Sequence, residues 1–268
     1  MCMKDEYMFL SVIILGPKNP KQKIDVFLQP LIQKLNELYE EGIQTYDVSS
    51  KNTFQMKAAL MWTISDFPAN SMLSGWNTVG KLACPYCMKD SDAFSLPNGR
   101  KISWFDNPRK FLPPNHPWRR NKKWFKRGQT VQKIAFTKQS GVQILKEIED
   151  LGLMKGTKLG SDAINAKISK NNACGWKKKS IFWDLSYWLT NPVRHNLDPM
   201  HVEKLVFDNI FNTVMNVKGK IKDNAKSRED LTLLYHRPEL HQNKITKKYP
   251  KACYMLDDKA KEFSCKWL

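Results

Sequence analysis

A chain of 268 residues has room for one large domain or two small ones and for a sizeable core. Its 44 Lys and Arg against 26 Asp and Glu leave a formal charge of +18, while 41% apolar and 11% aromatic residues exclude a disordered polyelectrolyte. Such a surplus implies a polyanionic partner, nucleic acid ahead of an anionic membrane surface.

Tyr7 to Leu15 (YMFLSVIIL) is a nearly continuous apolar run closed by Gly16-Pro17, and it predicts a strand buried on both faces. Val26, Phe27, Leu28, Leu31, Ile32, Leu35, Leu38 and Tyr39 recur at three- and four-residue spacing, which predicts an amphipathic helix ended by Gly42. Ile43 to Val48 reads as a second strand, and Phe54 to Ile64 as either a strand or a buried helix. That order predicts the α/β class, an open sheet with helices on its faces. From Gly75 to about Asn191, Pro, Gly, Asn, Trp and Lys dominate, and the one clear amphipathic helix lies around Val142 to Leu151, stopped by Gly152. Regularity returns at Asp198, where Val202, Leu205, Val206, Ile210, Phe211, Val214 and Met215 mark a helix stripe ending near Lys218-Gly219.

No apolar run approaches the ~20 residues of a spanning helix, and no signal-peptide pattern opens the chain. The six cysteines (Cys2, Cys84, Cys87, Cys174, Cys253, Cys265) are irregularly spaced, which argues against a disulfide scaffold and for a reducing cytosolic or nuclear compartment.

The charge is unevenly distributed. Residues 1–50 hold five Lys and seven acidic residues. Residues 100–128 hold Arg100, Lys101, Arg109, Lys110, Arg119, Arg120, Lys122, Lys123, Lys126 and Arg127 against Asp106 alone, a net of +9. Trp104, Phe105, Phe111, Trp118, Trp124 and Phe125 are interleaved with these cations. Cations neutralise phosphates and aromatics stack on exposed bases, so the segment is a candidate nucleic-acid surface. A solvated basic face anchored by its aromatics, or a nuclear-import patch at Arg119 to Lys123, fits the same pattern.

Three smaller constellations carry chemistry. Asp66 follows an apolar run in Ser-Asp-Phe-Pro, where a strand's carboxyl end can present a metal-binding carboxylate or a turn can simply begin. Asp198 and His201 share a helix face three residues apart; they can reach one phosphate or metal, or Asp198 can act as a cap alone. Cys84-Pro-Tyr-Cys87 is half of a zinc site, with His116 about thirty residues on as a third donor, or else two thiols in a turn.

At the level of long motifs the chain resembles the plant En/Spm-type (CACTA) DNA transposases. MCMKDEYMFLSVIILGPKNP, FQMKAALMWTISDFPA, LSGW, KLACPYC, FLPPNHPWRRNKKWF, KKKSIFWDL, VRHNLDPMHVEK, NVKGKIKD and RPELH carry the resemblance in that order across essentially the whole length. The resemblance implies a ribonuclease H-like core whose Asp-Asp-Glu triad binds two Mg²⁺ or Mn²⁺ ions for DNA strand cleavage and transfer. Asp66 then matches the second catalytic carboxylate, and Asp198 with His201 the family's Asp-x-x-His signature. The first Asp of that family lies upstream of the MCMKDEYMFLS segment and the Glu downstream of RPELH, so two of three metal ligands are expected outside this chain. Family members commonly carry His, often Cys-His, where Asn107 and Pro108 stand, which weakens a zinc site, and Leu205 and Phe207 replace the Asn and Cys that often follow their Asp-x-x-His.

The expected organisation is a partial ribonuclease H-like core at 1–74, a large basic, mostly irregular or helical insertion with the CxxC at 75–191, and a helical segment at 192–268. The expected function is that of a nuclear, transposase-derived DNA-binding fragment unable to cut or join strands alone. Its expected partners are transposon ends, with further copies or another transposon-encoded protein as candidates, and no membrane. A domesticated, non-catalytic nucleic-acid-binding protein is the alternative.

Overall fold

The computed structural model describes residues 4, 8–105, 107–125, 128–135, 137–153 and 175–266. Its helices are α1 (Ile24–Glu40), α2 (Phe67–Ser74), α3 (Pro117–Arg120), α4 (Gly141–Asp150), α5 (Pro199–Val214), α6 (Ala225–Leu234) and α7 (Asp258–Cys265). Its strands are β1 (Ile43–Asp47), β2 (Asn52–Met56), β3 (Thr63–Ser65), β4 (Phe94–Ser95), β5 (Ile102–Ser103) and β6 (His195–Leu197). The chain divides into two units, one built from residues 1–89 and 138–198, the other from residues 90–137 and 199–268. The stretch 75–191 contributes to both.

In the first unit α1 forms where its periodicity predicts a helix, and Leu28 and Ile32 pack with Ile181, Phe182, Leu185 and Trp188, while Val26, Phe27 and Tyr39 of the expected stripe stay exposed. Gly42 ends the helix at φ +79°, where a Cβ would stand 2.7 Å from the Met56 carbonyl. The chain then turns into the β1–β2 hairpin, in antiparallel register from Ile43 opposite Met56 to Asp47 opposite Asn52. A buried ion pair, Lys178 Nζ to Asp25 Oδ1 at 2.7 Å, joins α1 to the segment behind it.

A second cluster gathers Trp76, Trp176, Ile144, Ile148 and Leu153. Two Gly-Trp dipeptides meet there in an antiparallel bridge: Asn77 N–H donates to the Gly175 carbonyl (2.7 Å) and Lys177 N–H to the Gly75 carbonyl (2.8 Å). The indoles meet edge to face with centroids 5.0 Å apart. Helix α4, which supplies Ile144 and Ile148, starts from a capping box in which Ser140 and Gln143 satisfy each other's main chain.

Three expectations need correction. Residues 8–15 form no strand, and Phe9 and Leu15 are 89% and 87% exposed. Burial on both faces requires a ladder on each side, and among the described residues no strand pairs with this run. Phe54 to Ile64 is neither a single strand nor a helix: β2 ends at Met56 and β3 begins at Thr63. The described strands make three separate two-stranded sheets rather than one open sheet.

The second unit is held largely by polar staples. The β4–β5 hairpin turns at Asn98-Gly99, whose main-chain N–H groups donate to buried Asp230 of α6 at 2.9 and 2.8 Å. Arg228, on the same helix, is buried against the Asp223 carboxylate and donates to the Leu240 carbonyl at 3.0 Å. Helix α5 begins where expected but ends at Val214, short of Lys218-Gly219; none of its residues is fully buried, and Met200, Val206, Phe207 and Ile210 are exposed.

Candidate functional site

Strands β3 and β6 run parallel, with Thr63, Ile64 and Ser65 opposite His195, Asn196 and Leu197. The ladder continues one step further, since Asp198 N–H donates to the Ser65 carbonyl at 2.9 Å. Asp66 and Asp198, next on each strand, therefore leave the same carboxyl-end edge. The carboxyl edge of parallel strands is where open α/β sheets place their ligands. Asp66 also caps α2: its Oδ1 accepts from Ala69 N–H at 2.8 Å, and Pro68 occupies the first turn. At the other end of the pair, two positions in from Ser65 and Leu197, His195 Nδ1 and Thr63 Oγ1 are 2.8 Å apart. Burial, with Arg194 and Lys178 nearby as like charges, pushes the His195 pKa down to about 3, so the ring is neutral at pH 7.

The Cys84-Pro-Tyr-Cys87 knuckle flanks this edge: Leu197 N–H reaches the Tyr86 hydroxyl oxygen at 3.4 Å. Within it, Cys84 Sγ accepts from Cys87 N–H at 3.2 Å. The proposed third donor, His116, lies in the second unit, where Nδ1 caps α3 by accepting from Trp118 N–H. His201 also belongs to the second unit, in the first turn of α5. Among the described residues no group of three His, Cys, Asp or Glu side chains is gathered to hold a metal ion. Two carboxylates fall short of a two-Mg²⁺ site, and two thiols fall short of the four donors of structural zinc.

The cationic segment sorts into interior and surface. Arg119 is 3% exposed and donates all five of its N–H groups to main-chain carbonyls: Nε to Val131, Nη1 to Lys110 and Leu112, and Nη2 to Gln132 and Lys133. Five donors in a fixed fork match five carbonyls that irregular chain would otherwise leave unpaired. Arg109 is also buried; it donates to the Trp118, Asn121 and Gln129 carbonyls and lies 3.8 Å over the Phe125 ring. Lys110, 1% exposed, reaches the Asp90 carbonyl and Asp92 Oδ2. These three cations, expected at a nucleic-acid surface, serve the interior. Arg120, Lys122 and Lys123 remain on the surface with Trp118, while Trp124 is half-buried. Lys126 and Arg127 lie outside the described residues.

A family model described as "Transposase family tnp2" matches residues 1–151. The chain belongs to the tnp2 transposase family. In this tnp2-family chain the matched span carries Asp66, the Cys84–Cys87 knuckle and the whole cationic segment, and it stops short of Asp198 and His201. Neither the curated proteins nor the solved structures give a match. No helix among the described residues is long and apolar enough to cross a membrane.

The tnp2-family surface also holds a feature that periodicity gives no sign of. Phe105, Trp118, Trp124 and Phe125 line a cavity of about 450 Å³ together with Arg109 and Arg237. Arg237, from the far end of the chain, lies 4.2 Å over the Trp124 ring, and Lys123 Nζ stands 4.9 Å from the same ring. Only the Arg-Pro-Glu-Leu-His motif flagged that region, and as a family signature rather than as a contact.

Proposed function

We propose that this chain is a nuclear, En/Spm-type (CACTA) transposase-derived protein that binds DNA and does not cut or join strands by itself. What supports the binding half is the surface set Arg120, Lys122 and Lys123, at the end of α3 and just beyond it, in a segment whose shape is fixed by buried Arg109 and Arg119. Cations presented on a fixed support neutralise phosphates without ordering the segment anew. That arrangement is the observation on which the reading rests.

What supports the non-catalytic half is the donor set at the strand edge. Asp66 and Asp198 leave one edge of a parallel pair, as a ribonuclease H-like core would have them, and we read β3–β6 as part of such a core. In the intact family Mg²⁺ or Mn²⁺ would activate the attacking water or 3′-hydroxyl. Two carboxylates, Asp66 being engaged at the N-terminus of α2, supply too few oxygens for two ions about 4 Å apart.

The test pairs fluorescence anisotropy on a labelled duplex with plasmid nicking in Mg²⁺ or Mn²⁺. Duplex binding that weakens steeply with salt, without nicking, is expected. Absence of binding at low salt, or metal-dependent nicking that Asp66→Ala abolishes, contradicts the reading.

A further inference from the structure

We infer that the aromatic cavity of the second unit is a stacking site for an unpaired nucleobase, so that the protein prefers single-stranded DNA to a backbone of equal charge. The inference rests on the DNA-binding reading and adds to it the form of DNA engaged. Four aromatic side chains converge on the cavity, and two of them keep large open surfaces: Phe105 is 54% exposed and Trp118 46%. Exposed aromatic area of this kind costs solvation unless something covers it. At about 450 Å³ the space falls in the ~300–1,000 Å³ range of small-molecule sites and exceeds what one planar base needs.

The rings hold one another in place. Phe105 stacks on Phe125 at 5.6 Å between centroids, and Trp118 meets Phe125 edge to face at 5.8 Å. Arg109 covers Phe125 from within. Trp118 and Phe105 are therefore positioned without a ligand, which lowers the ordering cost of stacking.

Charge selects the occupant. An aromatic cage also suits a quaternary ammonium, but Arg237 and Lys123 already lie over Trp124 and repel a cationic ligand. The same two cations attract the phosphates on either side of a base. Arg237 is paired with Glu239 only loosely, at 3.6 Å and with both side chains exposed, so it can turn to a phosphate at small cost. A duplex hides its base faces in the stack, whereas a single strand presents them. A single-stranded segment thus satisfies the rings and the rim together.

The experiment measures the full chain by anisotropy against three probes: an oligodeoxythymidylate, an abasic strand of equal length, and a duplex. Wild type is expected to bind the thymidylate strand about tenfold more tightly than the abasic strand. Trp118→Ala is expected to erase that preference while leaving abasic and duplex affinities within about twofold, and Trp118→Phe to restore most of it. Trp118→Leu keeps apolar bulk against Phe125 without the flat face, and must lose the preference as Ala does. Equal affinity of wild type for thymidylate and abasic strands overturns the inference and leaves DNA binding standing. A preference that survives in Trp118→Leu also overturns it. Failure to bind all three probes overturns both readings.

Discussion

Ser65 and Leu197 stand opposite each other in a parallel pair, so Asp66 and Asp198 emerge side by side from residues 132 positions apart in the chain. The first of these acids has a structural task that is separable from any chemistry. Asp66 caps α2, and Asn caps about as well as Asp whereas Ala does not. Asp66→Ala is expected to cost about 1 kcal/mol in urea unfolding and Asp66→Asn a few tenths. Equal losses from both would show that charge at the edge, rather than the cap, sets the cost.

Arg119 and Arg120 are sequence neighbours with opposite surroundings. Truncating Arg119 strands up to five carbonyls, and Arg119→Ala is expected to destabilise by on the order of 3 kcal/mol. Arg119→Lys recovers only part, because an ammonium offers three donors and no planar fork. Arg120→Ala is expected to stay within about 0.5 kcal/mol of wild type. Chemical unfolding of the three variants checks the contrast.

Gly175 and Gly152 both have positive φ, at +79° and +64°, yet their surroundings differ. A Cβ at Gly175 would overlap the Trp76 ring, whereas at Gly152 it meets nothing within 4 Å. Gly152→Ala is therefore expected to cost about 1 kcal/mol for the backbone alone. Gly175→Ala must displace a buried indole and is expected to cost several times more. Thermal unfolding followed by tryptophan fluorescence reads both.

His195 ties stability to pH. Its folded pKa of about 3 lies below the ordinary 6.5, so the folded ring stays neutral while the unfolded chain takes up a proton as pH falls. The stability it contributes is complete above about pH 6.5 and drains away toward pH 3, at up to ~1.4 kcal/mol per pH unit. Asp223 acts in the same direction at lower pH: burial would raise its pKa, but hydrogen bonds from Arg228 and Tyr254 hold it below the usual value. Between about pH 7.5 and 5 wild type should lose roughly 2 kcal/mol more than His195→Asn. Parallel urea midpoints in the two proteins would contradict this.

Helices α1 and α4 were legible in the sequence because each writes part of its burial into local spacing, and β1 because its apolar residues follow the Gly42 stop directly. The apolar stripe and Gly152 mark α4, and the Ser140-x-x-Gln143 capping box, which formed no part of that expectation, reinforces its start. The β3–β6 pair was not legible, since three-residue strands are too short for alternation to register. Apolarity in residues 8–15 stated a need for burial without stating where it is met. Composition likewise could not separate Arg119 from Arg120, because that difference lies in the carbonyls of an irregular loop. The stacking cavity escaped for a similar reason: Arg237 reaches Trp124 through tertiary folding alone.

The most direct test of surface cations as the DNA-binding groups is the salt dependence of duplex affinity, for wild type and for the triple variant Arg120→Ala, Lys122→Ala, Lys123→Ala. Each phosphate that is no longer neutralised lowers the slope of log K against log salt by about 0.9. The expected result is a slope shallower by roughly 2 to 3 with the unfolding midpoint unchanged. An unaltered slope in a folded triple variant would contradict the assignment.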